Sequence, residues 1–144
     1  MTAQAPVRAP IAARRTGYVI AALVNVCIWF AINLWPGWAR VPFLTEDTVL
    51  VLGWINLSIA TAIAANLAYL AYDAPWFTAL GGLVTTVVGL AAMVRFWRIF
   101  PVDPPAPWPL LTRIVLVVAV GGTVIGLIAQ ASSLVRTLSQ RSAT

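Results

Sequence analysis

Four long apolar runs divide this chain, each bounded by proline, glycine or charge. The first extends from about Gly17 to Trp35, the second from about Thr48 to Tyr72, the third from about Pro75 to Phe100, and the fourth from about Leu110 to Val135. Each holds roughly 19–26 residues, against the ~20 that a helix rising ~1.5 Å per residue needs to cross ~30 Å of hydrocarbon. The pattern predicts an all-α fold, a four-helix transmembrane bundle with antiparallel up-down-up-down order. A flexible N-terminal tail is expected over 1–16, the bundle over 17–135 and a short polar tail over 136–144. The pair Arg14-Arg15 precedes the first run as it would in a secretory signal. The run is longer than the roughly 7–15-residue apolar stretch of such signals, and no A-x-A site follows it, so it reads as an uncleaved span.

The connections carry helix punctuation. Thr45, Glu46 and Asp47 stand before the second run. A threonine cap and acids in the first turn suit a helix N-terminus and its dipole. Only Asp73 and Ala74 separate the second run from the third, which opens on Pro75. Proline fits the first helical position, where its missing N–H costs nothing. The segment PVDPPAPWP over 101–109 is more than half proline, so it is expected to be a stiff, extended connection.

Aromatic residues agree with four spans. Trp35, Trp38, Trp97 and Trp108 fall on one face, with Tyr18, Tyr69, Tyr72 and Trp76 on the other, as amphipathic rings do at two membrane interfaces. The face with the termini holds Arg8, Arg14, Arg15, Arg136 and Arg141, and the opposite face Arg40, Arg95, Arg98 and Arg113. Together with Glu46, Asp47 and Asp103 on that opposite face, this small bias puts both termini in the cytoplasm by the positive-inside rule.

Composition narrows the chemistry. The chain is 61% hydrophobic and 9% charged, with a mean hydropathy of +0.92. A soluble domain carries roughly 25% charged residues, so lipid is expected to cover much of this one. The net charge of +5 comes from arginines that flank apolar runs. It does not form the water-facing basic patch that nucleic-acid binding requires, and no nucleic-acid partner is expected. The chain has no His and no Lys, and Met93 is its only internal Met. Histidine-ligated haem, a histidine base, a Schiff base and bis-Met ligation are therefore excluded; no metal, cofactor or catalytic constellation is expected. The lone Cys27 lies mid-span and reads as a small buried hydrophobe. All four carboxylates lie at span ends or in loops, which counts against a proton-coupled pump.

Three sets of residues stand out. Gly81, Thr85 and Gly89 recur every four positions in the third run, and Gly122 and Gly126 do so in the fourth. Such stripes let helix backbones approach closely in lipid, either within one copy or between chains. Asn56, Asn66, Asp73 and Gln130 are polar groups at or within the spans, accompanied by Asn25 and Asn33. They serve as interhelical hydrogen-bond glue or as a polar track lining a small cavity. Arg95 and Arg98 share one helix face near a span end, with Asp103 beyond them. They either snorkel to the interface or hold a lipid headgroup or partner, with Asp103, Glu46 or Asp47 available as counter-ions.

The stretches INLWPGW at 32–38 and VPFLTED at 41–47 resemble a family of small uncharacterised four-helix integral membrane proteins of actinobacteria and relatives. The segments Asn56-Leu57-Ser58, Ala65-Asn66-Leu67 and RFWRIFP at 95–101, and Gly126, resemble it too, so the likeness covers most of the chain. It implies four helices and multi-pass residence, and no activity. The expectation is a non-catalytic protein of the cell (cytoplasmic) membrane. It would act as an accessory, scaffold or assembly subunit, meeting lipids and either its own copies or another membrane protein. The alternative is a small oligomeric channel or transporter for an ion or small solute.

Overall fold

A computed structural model of the chain describes residues 8–103, 105 and 108–142. The rest of the expected tails and prolines 104 and 107 lie outside the described residues, as do the side chains of Arg136 and Arg141. The architecture is all-α: α1 is Ile11–Asn33, α2 Val49–Ala71, α3 Pro75–Ile99 and α4 Trp108–Ser142. Each carries a stretch long and apolar enough to cross a membrane. This is a multi-pass membrane protein.

Two helices outrun their expected bounds. α1 begins at Ile11, within the expected flexible tail, because Ala12, Ala13, Arg14 and Arg15 all favour helix and only Pro10 interrupts. α4 takes in Pro109 in its first turn, where no N–H is missed, and continues to Ser142 because neither Gly nor Pro stops it. Its apolar part ends at Ser132. The remainder adds about 15 Å of helix at ~1.5 Å per residue, beyond the apolar span on the face that holds the termini.

The ends of the other helices follow from local chemistry. After α1 the chain makes a cis Trp35–Pro36 bond, and Gly37 takes a φ of +81°. The Gly37 N–H donates to the Ala31 carbonyl at 3.0 Å, folding the turn back onto the helix end. Thr45 does not cap α2 with its side chain. It precedes a 3-10 turn, Glu46–Thr48, that leads into α2, so the backbone N–H of Thr48 takes the Thr45 carbonyl at 3.0 Å. The Thr45 hydroxyl is buried without a hydrogen-bond partner among the described residues. Pro75 does open α3, directly after the extended Ala74. α3 stops at Phe100, whose φ of +47° is left-handed, ahead of the fully buried Pro101. Proline disfavours the right-handed helical region in the residue before it, which sets the break here.

Extensive packing joins chain neighbours, α1 with α2, α2 with α3 and α3 with α4; α1 and α4 form no comparable interface. Within these contacts Tyr69 of α2 is the large inward side chain, only 8% exposed. It is therefore a packing residue and not part of an interfacial belt. Its ring lies over Gly81 of α3, next to Tyr18 at 5.3 Å and Phe77 at 6.0 Å between centroids. Cys27 lies on the exposed side of α1, among Leu23, Val24 and Ile28, and not against another helix as expected of a buried residue.

A Cβ at Gly81 would fall on the Tyr69 hydroxyl and 2.7 Å from its Cε1. Gly81→Ala is expected to cost about 1–3 kcal/mol as an overpacked contact. Gly89, with nothing within 4 Å of a Cβ, is expected to tolerate alanine within about 0.5 kcal/mol. Unfolding of both variants in detergent micelles measures the contrast; equal stability of the two would refute the Tyr69–Gly81 fit.

Candidate functional site

The two ends of the bundle are built differently. At the hairpin end, the three-residue link between α2 and α3 presents Asp73 to α1. Arg8 places its Nη2 2.8 Å from Asp73 Oδ1 and donates through Nη1 to the Asp73 carbonyl at 3.1 Å. Arg14 holds Oδ2 through Nε at 2.8 Å and Nη2 at 2.6 Å. Tyr18 donates its hydroxyl to Oδ1 at 2.9 Å. Arg14 also donates to the Ala9 carbonyl, tying down the segment before α1. The carboxylate is only 6% exposed, so the three donors nearly enclose it. The Arg14 hydrogen bond holds the Asp73 carboxyl below its ordinary value; Tyr18 and the two guanidinium charges act in the same direction, and burial opposes them.

At the other end the long connections lock together. Leu44 and Val102 form an antiparallel bridge. The Thr45 N–H donates to the Pro101 carbonyl at 3.1 Å and the Asp103 N–H to the Phe43 carbonyl at 2.9 Å. Asp103 thus joins the cap through its backbone, while its side chain is exposed. Among the described residues Asp103, Glu46 and Asp47 form no ion pair with Arg95 or Arg98, since the ion pairs found there both belong to Asp73. Arg113 instead stacks on the Phe100 ring, 4.6 Å from its centroid. Arg95 and Arg98 are exposed together along one groove beside Trp54.

The intramembrane polar groups are used up in separate layers. Asn33 and Asn56 exchange side-chain amide hydrogen bonds, both at 2.8 Å, and so join α1 to α2. Asn25 and Asn66 donate to carbonyls of their own helices, Ala21 and Ala62. Gln130 accepts from the Thr86 hydroxyl at 3.1 Å, joining α4 to α3. Of the expected polar track, Asp73 belongs to the hairpin clamp, Asn56 to the α1–α2 pair and Gln130 to the α3–α4 contact. The structure does not bring these groups to one lining.

The small residues divide as well. Gly81 receives Tyr69, and the Thr85 hydroxyl donates to its own helix at the Gly82 carbonyl. Among the described residues, nothing lies within 4 Å of a Cβ placed at Gly89, Gly122 or Gly126.

Sequence reasoning missed the clamp, because it assigned Arg8 and Arg14 to a flexible tail. The signal was present: four-span parity makes Asp73 the lone acid on the face that holds those arginines.

A carboxyl with a depressed folded-state pKa holds its partners at any pH above its ordinary value and releases them only as pH falls through the lower one. The arm from Arg8 to Arg14 is therefore expected to stay docked through neutral and mildly acidic pH and to loosen only below 3.8, the usual aspartate value. Asp73→Asn is expected to free it at neutral pH. Amide hydrogen exchange over 9–14 measures both effects, and unchanged exchange in the variant would contradict the clamp.

Comparison with protein-family models, curated proteins and solved structures finds no match to this chain.

Proposed function

We propose that this chain is a non-catalytic accessory, scaffold or assembly subunit of the bacterial cytoplasmic membrane, with both termini in the cytoplasm, working through helix–helix contacts. The observation that supports this reading is the uncovered glycine face of α4. Gly122 lies open between Val118 and Ile125, which are 68% and 69% exposed. Lipid chains cover an apolar helix of any shape, whereas small residues spaced by four matter when a second backbone approaches. In this reading α4 presents that face to a second copy or to another membrane protein. The locked connections at the cap end supply a firm surface beside it.

The channel reading draws less support. Asn56, Asn66 and Gln130 all bond within the chain, to Asn33, the Ala62 carbonyl and Thr86.

Gly122→Leu adds a side chain where nothing lies within 4 Å, so the fold is expected to be unchanged while association weakens at least tenfold. Native mass spectrometry after gentle extraction reads copy number and partners. A lone monomer from the unmodified chain would sink the scaffold reading. Ion or solute flux in proteoliposomes that disappears on substituting Asn66 would favour the channel.

A further inference from the structure

α3 turns basic over its last turns, beside an apolar trough. A groove of about 660 Å³ runs between α2 and α3, with Trp54 on one wall and Val87, Leu90 and Val94 along its floor. Arg95 and Arg98 close it toward the cap. From Val87 to Arg98 the helix rises ~16 Å at ~1.5 Å per residue, close to half of the ~30 Å hydrocarbon core. The groove is therefore one leaflet long, with its cations at the headgroup end. A second cleft, about 210 Å³, lies between α3 and α4 against Trp97, Val117 and Val120. Val94 and Arg98 line both, so they form a ridge between two apolar troughs.

The charges on this ridge are uncompensated. Neither guanidinium has an ion-pair or hydrogen-bond partner among the described residues, where the carboxylate found in ion pairs is Asp73 at the opposite end. Two fixed cations at the mouth of paired apolar troughs complement an anion that carries two hydrocarbon chains. Guanidinium groups suit phosphate oxygens, which accept two parallel N–H donors.

We propose that this face binds an anionic diacyl phospholipid. Its phosphodiester lies against Arg95 and Arg98, one acyl chain follows the Trp54–Leu90 groove, and the other enters the α3–α4 cleft. The site is independent of any helix that α4 engages.

The test uses the full chain in nanodiscs of equal parts phosphatidylglycerol and phosphatidylcholine, with native mass spectrometry counting the lipids retained. The unmodified protein is expected to retain phosphatidylglycerol in excess. Arg95→Gln and Arg98→Gln are each expected to lower that excess about fivefold, the factor one membrane-surface arginine contributes, and the double variant to bring it to parity. Arg40→Gln, a cap-face arginine outside the groove, is expected to leave it intact. Leu90→Trp fills the trough at constant charge and is expected to lower phosphatidylglycerol retention as well. Circular dichroism reports the helix content of each variant. Equal retention of the two lipids by the unmodified protein, which needs no variant, would overturn the site. So would an equal loss in Arg40→Gln, or retention unaffected by Leu90→Trp.

Discussion

Hydrocarbon neither donates nor accepts hydrogen bonds, so a polar atom carried between the two interfaces is costly unless it finds a partner in the chain. Helices satisfy the backbone. The side-chain amides follow the same constraint: Asn33 and Asn56 answer each other, Thr86 answers Gln130, and Asn25 and Asn66 turn back onto their own helices, while the buried Tyr69 hydroxyl finds no hydrogen-bond partner among the described residues. Where a polar bond crosses between helices it fixes register, and where it does not, shape takes over. The Tyr69 ring seated over Gly81 is the main case of shape. Together these contacts hold α1, α2 and α3 side by side with few fully buried residues, because lipid covers the faces that water would otherwise force inward.

The two ends solve the return to water in opposite ways. The hairpin end uses charge. A three-residue link can cover little, and its one carboxylate recruits Arg14 and Tyr18 from α1 and Arg8 from the segment before it, so the first helix is anchored to the second and third at once. The cap end uses backbone. The N–H groups of Thr45 and Asp103 reach across the Leu44–Val102 bridge to the opposite connection, while those of Arg40, Val41, Leu44, Thr48 and Val102 pair within their own turns. Buried Pro101 is the pivot of that arrangement, ending α3 and lending its carbonyl to Thr45.

The number, order and approximate extent of the spans were legible because hydropathy over ~20 residues is a strong, additive signal. The start of α3 at Pro75 was legible for a local reason, the one helical position where proline is at home. Contacts set by distant pairing were less so. Tyr69 reads as an interfacial ring until Gly81 is seen to make room for it, and the Thr45 hydroxyl reads as a cap until the 3-10 turn intervenes. Asp73 shows the limit most clearly. Its partners were on the same face by parity, yet helix propensity in Ala12 to Arg15 decided whether they formed a tail or an ordered arm.

The sequential packing of the helices has a consequence for symmetry. A bundle in which the first and last helices close on each other has one continuous flank, whereas this one has two unlike edges, the outer side of α1 and the outer side of α4. Two copies joined through the same edge, related by a two-fold axis along the membrane normal, form a finished pair. Copies joined α4 to α1 leave an open edge at each end, and such a chain either curves into a ring or continues across the membrane plane as a ribbon. The choice of edge thus decides between a finished pair and an array that closes only where its curvature brings the ends together.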